Sequence, residues 1–365
     1  MAVGVGANAT NEDRTRWSWI GVPAGIAVAS RAFSLALVLV ANALNRVPRR
    51  NPFDAWDAGW YLSIANTGYH ATPHQITPTA VHYDFAFFPL WPAVIRASTL
   101  GFLPDGATSV VAANLLFVGA AVIVWRLLAD RFAPEVATGA VLLLAFCPPA
   151  YVFSLAYSEP LFLVVASLYF LSRRASARRG LFAALAMVTR IAGAAVVASA
   201  LVQAIRTRGE ERRVAVAAAL VGSAAFAGWW IFIAFLTHDP LGFLHGSPGW
   251  GRSNGLVALV SQLRRPTIER YAWAAFVGLM FVGTLLLVRR DVELGLYAAA
   301  ALALCLVPGG VLGSMPRYAL AAFPAFAGIA DRLGRRGTRA LVVVFALGQW
   351  WFVSWAFTGP GAQPP

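Results

Sequence analysis

The stretch WSWIGVPAGIAVASRAFSLALVLVANA, residues 17–43, is the first long apolar segment of the chain. It exceeds the roughly 20 apolar residues that an α-helix needs to cross a bilayer. It is also too long for the apolar core of a secretory signal peptide. We therefore expect a retained transmembrane helix here.

Composition extends this prediction to the whole chain. Of its 365 residues, 59% are hydrophobic and 12% are charged, and the mean hydropathy is +0.66. Soluble domains carry about 25% charged residues. The sequence predicts an all-α, polytopic transmembrane bundle, one integral-membrane domain over 1–365, with about nine full spans plus a helix hairpin and roughly 10–11 helices. The later predicted spans are 107–128, 134–153, 155–171, 214–236, 271–288, 292–307, 317–330 and 339–357.

The charge of the chain fits a membrane protein better than a nucleic-acid-binding one. The formal net charge is +13, and all 29 basic residues are arginine. These arginines occur in short runs between apolar spans, as expected for cytoplasmic loops. We therefore expect no nucleic-acid partner. Cys147 and Cys305 lie in apolar spans without metal-ligand spacing, which indicates buried free thiols.

The segment 180–205 is long enough for one span, but arginine runs precede and follow it. A single crossing would place one run on the wrong side of the membrane. Arg190 also lies mid-segment, where a charge is costly. A break at TRIAG, 189–193, removes both difficulties, because two short helices would then return to the cytoplasm as a hairpin. One continuous span is the alternative.

With the hairpin, arginine placement predicts two large outer segments, 44–106 and 237–270, and a cytoplasmic N-terminus. Arg46, Arg49 and Arg50 in the first segment run against the rule. The outer segments contain all five histidines, namely His70, His74, His82, His238 and His245. Chemistry is therefore expected on the outer face of the membrane.

FDAWDAGWYLSIANTGYH, residues 53–70, is the first candidate site. Asp54 and Asp57 stand among aromatic residues, and Trp and Tyr favour membrane interfaces. One interpretation is an interfacial amphipathic helix whose acids face water. The other is a general base, held where a lipid substrate meets water. The aromatic residues that would contact substrate are Trp56, Trp60 and Tyr61.

A second candidate is VHYDFAFFPLWPAVIR, residues 81–96, in which Asp84 precedes an aromatic run. Pro89 and Pro92 predict a kink or a helix start. The segment is either a re-entrant piece packed on the bundle or a wall of the same cavity. In the second case Asp84 or His82 supplies a further polar group.

Glu159 lies at the outer end of a span, just before Pro160. An acid at a helix N-terminus stabilises the helix dipole, so simple capping is one interpretation. The other is a carboxylate that faces a cavity and contacts substrate. The sequence leaves both open.

Three further segments carry basic groups that are candidates for binding a phosphate. The loop THDPLGFLHGSPGWGR, 237–252, offers His238, Trp250 and Arg252 to a phosphate, and its histidine spacing is a weak metal signal. The segments 188–193 and 314–324 contain Arg190 and Arg317, with Tyr318 beside the latter. Each arginine is either a membrane anchor or a ligand for a lipid-linked phosphate.

Together these motifs resemble one family. WDAGWYLSIANTGY, DFAFFPLWP, AYSEPLF, TRIAG, DPLGFLHGSPGWGR and PRYALAAFP occur in the order and rough spacing of the PIG-V mannosyltransferases in their bacterial form. The resemblance covers residues 53–324, and the first two motifs are the most specific. The family is similar to the GT-C class of integral-membrane glycosyltransferases, with a large first outer loop.

The resemblance implies an inverting transfer from a polyprenyl- or dolichyl-phosphate mannose donor on the outer face, without metal, nucleotide or other cofactor. Asp57 matches the family's Trp-Asp pair and is the expected base, with Asp54 second and Asp84 third. The lysine-free composition looks bacterial, which implies the plasma membrane. The acceptor, whether lipid, glycan or protein, is open. A transporter or lipid flippase is the alternative, although such proteins tend to place ionisable groups at the midplane of repeated, broken helices.

Overall fold

The computed structural model shows a helical membrane protein with a small two-stranded hairpin. It describes residues 6–45, 48–49, 51–77, 80–99, 106–172, 176–246, 260, 264, 267–306 and 312–358. This part of the chain contains fourteen α-helices. They are α1 Gly6–Ala43, α2 Asp57–Thr67, α3 Leu90–Ser98, α4 Gly106–Ala129, α5 Pro134–Phe146, α6 Glu159–Leu171, α7 Ser176–Met187, α8 Gly193–Arg206, α9 Gly209–Thr237, α10 Gly242–His245, α11 Ile268–Val288, α12 Val292–Leu306, α13 Met315–Ala319 and α14 Ala325–Thr358.

Five of the described helices are long and apolar enough to cross a membrane. They lie at Trp19–Ala43, Gly106–Ala129, Gly209–Thr237, Ile268–Val288 and Ala325–Thr358. A sixth span results if α5 and the 3₁₀ turn that follows it, bent by 78°, count as one. The all-α membrane fold is therefore confirmed, but the count of about nine full spans is not. Several predicted spans are shorter helices: α6 has 13 residues and α12 has 15.

The first helix is longer than predicted. It begins at Gly6, eleven residues before the expected start, and ends at Ala43 as expected. The polar residues before the apolar run thus continue the same helix. Hydrophobicity marks where a helix enters the membrane, whereas the backbone can stay helical beyond it.

The segment 180–205 is broken as the hairpin hypothesis expected. Helix α7 ends at Met187 and α8 begins at Gly193. A Cβ atom at Gly193 would lie 2.3 Å from the backbone oxygen of Ala186. Residues seven apart in a straight helix are separated by about 10 Å, so the chain turns back here. Both arms pack on α9.

A second reversal divides α14. Gly334 has φ 62° and ψ −176°, outside the helical region. A Cβ atom at Gly139 of α5 would lie 3.1 Å from the side chain of Ala330 and 3.2 Å from that of Thr338. These two residues are eight apart and would be about 12 Å apart along a straight helix. The chain therefore reverses at Gly334, between the predicted spans 317–330 and 339–357.

The bend after α5 has a specific chemical support. Pro148 and Pro149 cannot donate backbone hydrogen bonds, so the helix cannot continue through them. Arg31 of α1, which is only 3% exposed, contacts this break. Its Nη1 donates to the Ala150 carbonyl at 2.8 Å and to Ser154 Oγ at 2.9 Å, and its Nη2 donates to the Ala145 carbonyl at 3.1 Å. The guanidinium thus satisfies carbonyl groups that the broken helix leaves free.

The first outer segment folds as helices and a small hairpin. Strands β1, His74–Thr77, and β2, Ala80–His82, pair antiparallel, a feature that the sequence did not predict. Helices α2 and α3 pack on each other and on α4. Trp91 is fully buried and donates to the Ala156 carbonyl at 2.8 Å, which ties this segment to the turn before α6.

The core lies among α4, α5, α6 and α14, where aromatic rings pack closely. Phe117 and Phe153 stack with ring centroids 4.5 Å apart. The two cysteines, Cys147 and Cys305, are buried free thiols, as predicted. The segment that contains α2 and α3 thus packs on the hydrophobic core of the helices.

Candidate active site

Asp57 makes an ion pair with Arg317, 260 residues further along the chain. Asp57 is the first residue of α2, and Arg317 lies in the short helix α13. The Arg317 Nη1 donates to Asp57 Oδ2 at 2.5 Å. The Arg317 side chain is 6% exposed and that of Asp57 is 19% exposed. The pair therefore opens toward solvent on its carboxylate side.

Glu159 extends this pair into a longer network. Its Oε1 lies 2.7 Å from Arg190 Nη1 and 3.6 Å from Arg317 Nε. The Glu159 side chain is 5% exposed and that of Arg190 is 13% exposed. We call Asp57, Arg317, Glu159 and Arg190 the charge network. It contains two carboxylates and two guanidinium groups, so its formal charges cancel.

Aromatic rings hold Arg317, one of the two arginines of this network, in place. The Arg317 guanidinium lies 5.0 Å from the Tyr157 ring centroid and 4.9 Å from that of Tyr318. Its Nη2 also donates to the Tyr318 hydroxyl at 3.3 Å. Cation–π contacts stabilise a desolvated guanidinium and hold its plane. Arg317 therefore has a defined orientation that does not depend on its carboxylate partners alone.

Backbone strain lies directly before Asp57. Trp56 has φ 55° and ψ −121°, a conformation that non-glycine residues rarely adopt. Its ring packs edge-on against Phe357 at 5.0 Å, and the Arg49 guanidinium lies 5.3 Å from its centroid. The surrounding packing thus maintains the strained turn that starts α2 at Asp57. Strain of this kind concentrates at functional sites.

The helix hairpin supplies Arg190. Its turn connects to the outer segment, because the Leu90 N–H donates to the Val188 carbonyl at 3.0 Å. Arg190 follows within this turn and reaches Glu159 at the start of α6. The side chains of the network are 5–19% exposed, so the network is largely buried rather than on the surface.

Aromatic residues form a shelf beside Asp57. Trp60 and Tyr61 follow Asp57 by three and four residues and so share its helix face. Trp60 stacks on Phe87 at 5.9 Å with an interplanar angle of 13°, and lies 6.2 Å from the His82 ring. Tyr61 is 6% exposed and shares a hydrogen bond of 2.9 Å with Ser158 Oγ. This shelf brings Trp60, Tyr61 and His82 together.

Asp84 occupies a different place. It is 2% exposed, and its Oδ2 accepts from the His70 backbone N–H at 2.9 Å and lies 2.8 Å from His70 Nδ1. These contacts join the chain after α2 to the turn before α3. Among the described ion pairs, Asp84 pairs with His70 rather than with the charge network. Its position favours holding the outer segment together.

Asp54 lies before the strained turn, in the short 3₁₀ turn Pro52–Asp54. Burial raises the pKa of its carboxyl above the ordinary value, against lowering contributions from Arg49 and Asn51. Its Cβ lies 3.6 Å from where a side chain at Gly106 would begin. No described ion pair joins it to Arg317. Of the two neighbouring acids, Asp57 therefore belongs to the network.

The second outer loop is only partly within the described residues. Trp250 and Arg252 lie outside them. His238 is exposed and ends α9 in the left-handed conformation at φ 54°. Asp239 pairs with His245 at 2.6 Å, and a backbone hydrogen bond from Leu241, followed by the one from His245, lowers the pKa of that carboxyl. Within the described contacts these groups stand apart from the charge network.

Several residues that sequence reasoning passed over help build the site. Tyr157 contacts Arg317, and Ser158 contacts Tyr61. Both Tyr157 and Ser158 lie within the AYSEPLF motif. Arg31 supports the bend after α5, and its position within an apolar run was an available signal. At the other end of the bundle, the fully buried Arg179 pairs with Glu293 at 2.9 Å.

A small cavity adjoins Arg317 on the side of α11 and α14. Its lining is mainly aromatic, with Trp273 and Trp355 packed edge-on at 4.9 Å. The other lining residues are Pro149, Tyr151, Gly313, Pro316 and Phe352. Among the described residues, no group of three or more His, Cys, Asp or Glu side chains is placed to hold a metal ion.

Solved structures share this fold at low sequence identity. An oligosaccharyltransferase of Archaeoglobus fulgidus, tethered with an acceptor peptide, superposes with TM-score 0.54 at 14% identity, over 96% of this chain and 56% of that one. ArnT of Cupriavidus metallidurans, bound to undecaprenyl phosphate, gives 0.53 at 14% identity over 92% and 77%. The A. fulgidus oligosaccharyltransferase AglB, with dolichol-phosphate and an inhibitory peptide, gives 0.52 at 13% over 93% and 56%.

The fold is thus that of the integral-membrane GT-C glycosyltransferases, although this chain spans only about half the length of the oligosaccharyltransferases. No curated protein matches the sequence significantly. The family model described as Mannosyltransferase (PIG-V) matches residues 28–210, half of the chain. The protein belongs to the PIG-V mannosyltransferase family, which confirms the resemblance.

Proposed function

We propose that the protein transfers a mannosyl residue from a polyprenyl-phosphate donor to an acceptor hydroxyl on the exoplasmic face. The observation that carries this proposal is the charge network, in which two carboxylates and two arginines from distant segments meet in a largely buried position. Family membership supports mannose as the sugar. Solved structures of the same fold hold undecaprenyl phosphate and dolichol-phosphate, which supports a lipid-linked donor.

The two arginines are suited to the donor's phosphate. As the bond between the mannosyl C1 and the phosphate oxygen breaks, the electron pair moves to that oxygen. Guanidinium groups stabilise such a developing charge, above all where water is excluded. Arg317 and Arg190, the two arginines of the charge network, fit this role, with Tyr318 as a further donor to the phosphate.

Asp57 is suited to act as the base. Its carboxylate would take the proton of the acceptor hydroxyl while that oxygen attacks C1. Attack from the face opposite the leaving phosphate inverts the anomeric centre. This needs one base and no second nucleophilic carboxylate, unlike retaining glycosidases. Asp57 is the most exposed carboxylate of the network, which leaves it accessible to an acceptor.

The shelf beside Asp57 offers a surface for the acceptor. Trp60, which stacks on the buried Phe87, offers a ring that suits the apolar face of a sugar, and His82 adds a polar group nearby. Trp56 supports Asp57 from behind. His238, Trp250 and Arg252 remain predictions for the second outer loop. The labelled product of mannosyl transfer identifies whether the acceptor is a lipid, a glycan or a protein.

A transporter or flippase is the competing function. Such proteins tend to place ionisable groups at the midplane between repeated helix bundles. Here the acidic end of the network starts an outer interfacial helix next to an aromatic shelf. This arrangement favours an enzyme.

The test is transfer by membranes supplied with radiolabelled polyprenyl-phosphate mannose. Asp57→Asn keeps the shape of the side chain but cannot take a proton. We expect its transfer to fall at least about a hundredfold, within the usual contribution of a general base. Asp130→Asn, at the far end of α4 in an exposed pair with Arg126, is the matched control and should retain activity. Unchanged transfer by Asp57→Asn at normal expression would refute the assignment, and the labelled product identifies the acceptor.

A further inference from the structure

The contact between Asp57 and Arg317 joins the proposed base directly to the proposed phosphate ligand. One Asp57 oxygen accepts from Arg317 Nη1 at 2.5 Å. In this state Arg317 competes with an acceptor hydroxyl for that oxygen. The same contact occupies the part of the guanidinium that would bind a phosphate oxygen. The site therefore has to rearrange before it can react.

Charge balance indicates what rearranges. The charge network is formally neutral and largely buried. A donor phosphodiester brings one more negative charge into it. An unpaired charge in a poorly solvated place is costly, so a carboxylate must leave its arginine when the phosphate arrives.

Asp57 is the carboxylate that can leave at the lower cost. Glu159 is 4% exposed and lies near both arginines, at 2.7 Å from Arg190 and 3.6 Å from Arg317. Among the described ion pairs, Asp57 has only Arg317 as partner, and its side chain is 19% exposed. A carboxylate at this open end exchanges its arginine for water, whereas departure of Glu159 would leave Arg190 without a carboxylate partner and Arg317 with Asp57 alone.

Arg317 can change partners without moving. The rings of Tyr157 and Tyr318 lie 5.0 and 4.9 Å from its guanidinium carbon and hold the group in place. Glu159 remains beside its Nε. The edge that faces Asp57 is thus a fixed site that a phosphate can occupy with bidentate hydrogen bonds.

We propose that the donor's phosphate displaces Asp57 from Arg317 and thereby releases the carboxylate for the acceptor hydroxyl. This inference rests on the proposed function. It makes the base available only when donor is bound, so an acceptor that arrives first meets an occupied carboxylate. The exchange is of ion-pair partners only, and no covalent bond changes.

The test is binding of undecaprenyl phosphate, which lacks the sugar and so cannot react, to the full-length protein in lipid nanodiscs. If Asp57 competes with the phosphate, Asp57→Asn and Asp57→Ala should bind it about tenfold more tightly, the range of a hydrogen bond between charged groups. Glu159→Gln removes an equal charge but also the support of both arginines, and should not tighten binding. Asp130→Asn controls for a general change of charge.

A second measurement uses the wild-type protein. A hydrophobic carbodiimide in excess should label Asp57 more when undecaprenyl phosphate is bound, with Asp130 as internal reference in peptide mass spectrometry. This labelling measurement remains valid even if the Asp57 variants fold poorly, because it uses the wild-type protein. Thermal unfolding reveals whether the variants fold.

Outcomes separate the two proposals. Tight binding by the wild type with no gain in the Asp57 variants and no gain in labelling would overturn the exchange, while the proposed function stands. Equal tightening in Asp57→Asn and Glu159→Gln would also overturn it, because general electrostatics would then suffice. If the wild type neither binds undecaprenyl phosphate nor transfers labelled mannose, the proposed function falls, and this inference with it.

Discussion

Glu159→Gln tests whether the carboxylate is a partner of the arginines or merely a helix cap. The substitution keeps volume and shape, so it creates no cavity. It leaves Arg190 without its partner at 2.7 Å and Arg317 with Asp57 alone. Removing one member of a buried ion pair costs about 3–5 kcal/mol. We expect the lower half of that range, because the Arg190 side chain retains 13% exposure.

The matched control is Glu135→Gln. Glu135 also lies in the first turn of a helix, α5, but is exposed. At that position the carboxylate interacts only with the helix dipole, and the loss of this interaction costs about 0.3–1 kcal/mol. Equilibrium unfolding in mixed detergent micelles, followed by tryptophan fluorescence, measures both variants.

The double variant Glu159→Gln/Arg190→Gln sharpens the test. It removes one charge of each sign and leaves Asp57 and Arg317 as a neutral pair. We expect it to be about 1–3 kcal/mol more stable than Glu159→Gln alone, because no buried cation lacks a partner. Equal losses for Glu159→Gln and Glu135→Gln, or simple addition in the double variant, would refute the network as a source of stability.

Three further variants test the fold and the division of roles. Arg31→Lys should cost about 1–3 kcal/mol in the same unfolding assay, because one ammonium cannot reach the three acceptors that the guanidinium fork contacts. Gly193→Ala should cost about 1–3 kcal/mol, because its Cβ would meet the Ala186 backbone at 2.3 Å, whereas Gly119→Ala, with open space around it, should be neutral or slightly stabilising. Asp84→Asn should lower the melting temperature through the lost His70 contacts, yet retain most mannosyl transfer; a loss as deep as in Asp57→Asn would make Asp84 a catalytic group.

Much of the fold was predictable because it follows from local pattern. Apolar length predicted the membrane helices, and the position of Arg190 between two arginine runs predicted the hairpin. The break between the predicted spans 317–330 and 339–357 was visible too, and Gly334 reverses the chain there. The number of full spans was not predictable, since an apolar run of 13–15 residues is too short to show whether it crosses.

The four members of the charge network were visible in the sequence as candidates, but their connections were not. Asp57, Glu159, Arg190 and Arg317 each stood out as a charged group beside an apolar or aromatic run. Nothing in their spacing could join them, because ion pairs between residues 31 to 260 positions apart depend on how the helices pack. The strained turn at Trp56 is equally a product of that packing.

The sequence alone therefore determined the class of protein and the residues worth testing, since hydrophobicity and charge act locally along a chain. Only the tertiary structure decided that Asp57 rather than Asp54 or Asp84 meets the arginines. It also decided that Glu159 stands between two cations. A charge in a poorly solvated interior must find a partner, and which partner it finds depends on how the helices are arranged.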